Sequence, residues 1–178
     1  GDVLWQVEND QWYGWPDHSG PYELSSDLFK VPGKGSTDLL IKEKPNDVPE
    51  QVAMLGVHSS SNGMDFSTSE DFGFRGYAFI AQLGDMSPNV GKVLGPVGFK
   101  VVMVDVENGV IKDFAVNHGK ENGPASVLKK GGLERPVAVK FHPDGNSLYV
   151  VDFGIIEIDG NKTISHERTG VIWKISKQ

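Results

Sequence analysis

The sequence predicts an all-β chain assembled from small antiparallel sheets of the propeller-blade kind. Three observations carry that expectation. Glycine (22) and proline (10) together make 32 of 178 residues, well above the roughly 12 % average, and that density of chain breakers excludes a helical bundle or coiled coil. No window of about a dozen residues holds the 3.6-residue period of an amphipathic helix. Strand-like runs recur instead between turn residues, four in succession and then three, at the spacing of about 45–55 residues that marks repeated four-stranded units.

Taken in order, Val3-Leu4-Trp5-Gln6-Val7 reads as a short strand, and Gly14-Trp15-Pro16 breaks the chain soon after it. Residues 17–50 are rich in loop formers, with only Asp38–Glu43 offering a strand-like run. Val52–Val57, Gly63–Ser67, Tyr77–Gln82, Phe99–Val106 and Val110–Val116 are each enriched in β-branched and aromatic residues between turn signals. Glu107-Asn108-Gly109 and Pro143-Asp144-Gly145-Asn146 carry the dipeptides that supply positive φ in hairpins. One helical turn is expected near Ala125–Lys130. Three further strands come next, Val137–Phe141, Ser147–Asp152 and Gly170–Ile175, with an insertion over 154–169 before the last. Period-2 alternation places Val139, Phe141, Leu148 and Val150 in the core. A β-sandwich is the alternative that spacing alone leaves open. The resulting division is one partial propeller domain: a blade remnant with loops over 1–50, a penultimate blade over 51–120 and a closing blade over 121–178.

Composition excludes several functions. Zero cysteine removes disulfides, thiolate metal sites and a cysteine nucleophile. The net charge of −7 is uneven: residues 1–89 carry 14 acidic and 5 basic side chains (−9), residues 90–178 carry 10 and 12 (+2). No basic cluster of the nucleic-acid type occurs, so no nucleic-acid partner is expected. Apolar runs are far too short for a membrane span, and the first residues lack the basic and apolar regions of a signal peptide. Glu-x-x-His, His-x-His, EF-hand, P-loop, Rossmann and Gly-x-Ser-x-Gly patterns are all missing, and Asp159-Gly160-Asn161 reads as a turn, so no metal ligand is assigned.

The later strands carry a recognisable phrase. Glu134-Arg135-Pro136-Val137-Ala138-Val139, Phe141-His142-Pro143-Asp144-Gly145, Leu148-Tyr149-Val150-Val151-Asp152 and Gly170-Val171-Ile172-Trp173-Lys174-Ile175 resemble the closing blade of the glucose/sorbosone dehydrogenase family. Tyr13-Gly14-Trp15-Pro16, His58-Ser59-Ser60-Ser61-Asn62-Gly63-Met64-Asp65-Phe66 and Phe74-Arg75-Gly76-Tyr77-Ala78-Phe79 are similar to its upstream motifs, and Gly1-Asp2-Val3 resembles its Gly-Asp-Glu, with Val3 in place of the glutamate. The resemblance implies a six-bladed propeller that oxidises a sugar or sugar aldehyde by hydride transfer to pyrroloquinoline quinone (PQQ), with calcium, in the periplasm or outside the cell. On this resemblance the chain covers the last two to three blades. The family's catalytic histidine and most of its calcium ligands lie in the earlier half, so no catalytic residue is assigned and the chain alone is expected to be inactive. The rest of the propeller, or a second protein chain, is the expected partner.

Four residues are singled out. Arg135 matches a family arginine that grips the cofactor, and three carboxylates on PQQ suit a guanidinium fork; the bland alternative is a salt bridge with Glu134 or Asp152. Val137 stands where the family often has a second arginine, and Gly84-Asp85-Met86-Ser87-Pro88 lacks the arginine of the corresponding family phrase, leaving Lys92 as a substitute charge for cofactor binding. His58 heads the loop before an inner strand, where an imidazole can bind a substrate hydroxyl; a loop histidine bonded to backbone is the alternative. Trp15 either stiffens its loop or stacks on a sugar ring. Asn62 and Gly63 read as turn residues. Against the dehydrogenase stands a second function, a non-catalytic propeller module that binds a carbohydrate or a protein.

Overall fold

The computed structural model describes residues 1–86, 95–119, 121–160 and 162–177. It is nearly all β. Strands run in chain order as β1 (Asp2–Leu4), β2 (His18–Ser19), β3 (Tyr22–Glu23), β4 (Ala53–Gly56), β5 (Ser61–Phe66), β6 (Ala78–Gln82), β7 (Lys100–Asp105) and β8 (Val110–Ala115). After one helical turn, α1 (Ala125–Leu128), come β9 (Pro136–Phe141), β10 (Ser147–Asp152), β11 (Ile156–Asp159), β12 (Lys162–Ser165) and β13 (Val171–Ser176). Every pairing is antiparallel. The main sheets have four strands, β5-β6-β7-β8, and three, β9-β10-β13; β1-β4, β2-β3 and β11-β12 form two-stranded sheets.

The four-stranded sheet is the middle of three layers. Phe79, Ala81, Val101 and Met103 on one face pack with Val139, Phe141, Leu148 and Val150 of the three-stranded sheet. Ala78, Ile80, Val102 and Val104 on the other face pack against Ala53, Leu4 and Leu55 of the β1-β4 sheet. With both faces covered, β6 and β7 read as unbroken apolar runs rather than alternations. Each fully buried Val, Leu or Phe contributes about 1.5–3 kcal/mol, so these interfaces hold the sheets together. Val139, Phe141, Leu148 and Val150 are buried as the alternation requires.

Two contacts fix how closely the main sheets approach. Gly63 lies within β5, and a Cβ there would sit 2.4 Å from the Cα of Ala138. Its glycine is therefore required by sheet-on-sheet contact and not by a turn, which corrects the sequence reading. Two residues on, Asp65 accepts the backbone N–H of Phe141 at 2.8 Å and the ammonium of Lys140 at 3.1 Å. Burial raises the pKa of Asp65, but the Phe141 N–H and Lys140 outweigh it, and the carboxyl ends below its ordinary value.

Elsewhere local chemistry overrides strand propensity. Only Asp2–Leu4 of the expected first strand pairs, with β4. Residues 38–43 form no strand, because the Asp17 carboxylate accepts the N–H groups of Leu40 (2.8 Å) and Ile41 (2.7 Å). The 154–169 insertion is itself a hairpin, β11-β12, turning at Gly160. No helix among the described residues is long and apolar enough to cross a membrane.

Candidate functional site

Two corners, each leading into the first strand of a main sheet, carry the candidate residues. In the corner before β5, Gly56, His58 and Ser60 all have positive φ (103°, 61° and 51°). For His58 and Ser60 that conformation costs about 1–2 kcal/mol each, and a polar network offsets it. The buried Ser59 Oγ donates to Asp2 Oδ2 at 2.8 Å, and the Ser61 N–H donates to the same oxygen at 2.7 Å. Gln82 Nε2 donates to the Leu55 carbonyl and to Ser61 Oγ, both at 3.2 Å. Leu83 and Gly84 close the corner through N–H donation to the carbonyls of Ser60 and Ser59, at 3.0 Å each. Thus fixed, His58 lines a cleft of about 940 Å³ with Asp2, Ser60, Tyr22, Phe29 and Met86. An imidazole beside a carboxylate and a hydroxyl, over apolar walls, is suited to a polar small molecule with an apolar side.

In the corner before β9, the buried Asp152 carboxylate does the organising. It accepts the N–H groups of Glu134 and Arg135 at 2.7 Å each, that of Gly154 at 3.1 Å, and Trp173 Nε1 at 3.4 Å. Glu134 in turn accepts the Ser126 N–H (2.8 Å) and hydroxyl (2.6 Å). Both carboxylates are thus occupied by other donors. The Arg135 side chain, only 5 % exposed, crosses instead to the four-stranded sheet. Its guanidinium donates to the carbonyls of Leu83 (3.3 Å) and Asp85 (3.4 Å) and lies 5.0 Å from the centre of the Phe99 ring. Phe99 has φ of 59°, and Gly84 is pressed so close to it that a Cβ would fall 2.5 Å from the ring. Nε of Arg135 is buried without a partner, and no described carboxylate lies within ion-pair distance. Burial lowers the Arg135 pKa, while the negative charges of Glu134 and Asp85 act the other way.

The stretch from Leu83 to Met86 joins the corners. Its N–H groups bind the His58 loop, its carbonyls hold Arg135, and Gly84 and Met86 line the cleft. His58 opens into that cleft; Arg135 is not among its lining residues. Trp15 stands apart, 82 % exposed on the 11–18 loop, with its carbonyl accepting Trp12 Nε1 at 2.7 Å. Lys92 lies outside the described residues. His142 pairs with Asp144 at 2.9 Å and His166 with Glu157 at 3.2 Å. No group of three or more His, Asp or Glu among the described residues can hold a metal ion.

Sequence reasoning missed Asp2 as the loop's anchor and Phe99 as the platform under Arg135. Asp2 is 57 residues from Ser59, a pairing no local pattern announces; Phe99 follows Gly98, a glycine also at positive φ, which was the one local hint of an irregular backbone. No protein-family model and no curated protein matches this chain.

Proposed function

We propose that the chain is the C-terminal part of a six-bladed propeller of the PQQ-dependent glucose/sorbosone dehydrogenase type, working in the periplasm or outside the cell. Support for the architecture comes from the stack of a two-, a four- and a three-stranded antiparallel sheet, consecutive in sequence. The observation that carries the cofactor reading is the buried Arg135 guanidinium, whose Nε lacks a partner and whose two carbonyl contacts are long. A desolvated cation with unused donors matches a carboxylate-bearing ligand. The described residues do not supply a calcium site, so that ion's ligands belong to other parts of the ring.

In this reading Arg135 holds a cofactor carboxylate, and Phe99 and the Leu83 and Asp85 carbonyls keep the guanidinium in place before binding. His58, set by Asp2 and Ser59, hydrogen-bonds a substrate hydroxyl in the cleft. PQQ, when bound, supplies the two-electron acceptor for a sugar hydride. The base that takes the hydroxyl proton is not assigned to this chain, so residues 1–178 alone are inactive.

The test is a titration of the full-length protein with PQQ in the presence of calcium, followed by quinone absorbance and glucose-dependent dye reduction. Saturable binding and turnover are expected; the absence of binding overturns the reading. A second reading is favoured by Trp15, whose indole is almost wholly in solvent and off the cleft: a module that holds a carbohydrate by ring stacking without turnover. Binding of sugar without PQQ, lost in Trp15→Ala, distinguishes it.

A further inference from the structure

The three-stranded sheet ends on an edge that the described chain leaves open. β13 pairs with β10 along all six residues, from Val171↔Asp152 to Ser176↔Ser147, and no described strand pairs with its other side. An open row of N–H and C=O groups is a template for another strand. The other main sheet shows how this chain guards such an edge. β8 carries Lys112 and Asp113 at its centre, and Asp113 is ion-paired to Lys100 at 2.6 Å. β13 instead begins Val171-Ile172-Trp173, all three exposed and Ile172 by 69 %. Its one charge, Lys174, lies 6.0 Å from the centre of the Tyr149 ring.

We propose that β13 pairs antiparallel with β13 of a second copy of this chain, across a two-fold axis at Trp173. The occupant of such an edge must be a strand, and β13 is complementary to itself. Continuing the sheet with like faces together requires opposed residues of the same parity. Centring the pair on Trp173 sets it against the partner's Trp173, Ile172 against the partner's Lys174, and Val171 against the partner's Ile175. No like charges meet in this register. Trp173 sits opposite Val150 on the core-facing side of the sheet, so the two indoles meet as an aromatic cross-strand pair, the most favourable kind. The surplus acid of the chain lies in residues 1–89 (−9), away from this half (+2), so net charge does not oppose the approach. The inference needs only the sheet and is independent of the redox reading.

The chain has no cysteine, so a single introduced thiol reports cleanly. Opposed Cα atoms about 4.5–5.5 Å apart fall within the disulfide range of about 4.4–6.8 Å. Sedimentation at high micromolar concentration is expected to show a dimer, and Trp173→Cys to oxidise to a covalent one. Ile172→Lys sets two ammonium groups against the partner's two and weakens the dimer. Ile172→Glu loses the same apolar contact but meets those ammonium groups with opposite charge, and dimerises about tenfold more tightly than Ile172→Lys. A monomer at that concentration overturns the proposal. So does a dimer that Trp173→Cys fails to cross-link, or equal dimerisation of the two Ile172 variants.

Discussion

The corners before β5 and β9 are built alike and end differently. Each is organised by one carboxylate that gathers donors from the residues entering the strand: Asp2 takes Ser59 and Ser61, and Asp152 takes Glu134, Arg135 and Gly154. Asp2 is half-exposed at the cleft and its corner presents His58 to the outside, whereas Asp152 is buried and its corner sends Arg135 inward. The difference lies in what covers each corner. The three-stranded sheet packs its Asp152 end against the Leu83–Met86 stretch and Phe99, while the β1-β4 sheet leaves its outer side to the cleft. One device thus yields an accessible polar group in one place and a desolvated cation in the other.

Removing the buried anchor should have the largest effect. Asp152→Ala strands three buried N–H groups, and a loss of about 3 kcal/mol in urea unfolding is expected. A loss no greater than that of Asp2→Ala breaks the distinction between the corners. Gly63→Ala comes next. Its new Cβ meets backbone that cannot give way, and about 2–3 kcal/mol should disappear from the unfolding free energy; an unchanged melting temperature contradicts the close approach of β5 to β9. Asp2→Ala should cost about 1–2 kcal/mol, with hydrogen exchange accelerated at Ser59–Ser61 but not at Glu134 and Arg135.

The smaller effects sharpen the same contrast. Asp65, which ties β5 to β9, has its pKa lowered in the folded protein. Its ionised form therefore stabilises the fold above the ordinary value of 3.8, and that contribution is lost as pH falls through the lower folded value. Asp65→Asn should flatten the acid end of the stability profile by about 1 kcal/mol while leaving its neutral shape intact; a profile with the wild-type acid slope rules the contribution out. Arg135→Met should change stability by less than about 1 kcal/mol, because a buried cation without an ion pair is a weak contributor to stability.

Much of the fold was legible because apolar alternation, Asn-Gly and Asp-Gly turns and buried runs are local signals. β5 to β10 and β13 fall within a few residues of the expected positions, and α1 lies within the expected helical turn. What was illegible is long-range or side-chain-to-backbone. Asp17 captures Leu40 and Ile41 and cancels a strand; Asp2 reaches Ser59; Gly63 is set by the distant Ala138. The β11-β12 hairpin was readable in principle, since Ile156-Glu157-Ile158-Asp159 alternates and a glycine comes next. Of the site, the residue types were legible and their surroundings were not. Arg135 stood out by its phrase, yet its burial on Phe99 and under two carbonyls depends on a neighbouring sheet.

Arg135 therefore offers the most direct measurement: the affinity of full-length protein for PQQ with calcium, wild type against Arg135→Met, with unfolding followed on the same samples. The expected result is a ten- to hundredfold weaker affinity, about 1.4–2.8 kcal/mol, with stability unchanged or raised. Equal affinity in the two proteins contradicts a cofactor role for Arg135, and a large loss of stability makes it a structural cation instead.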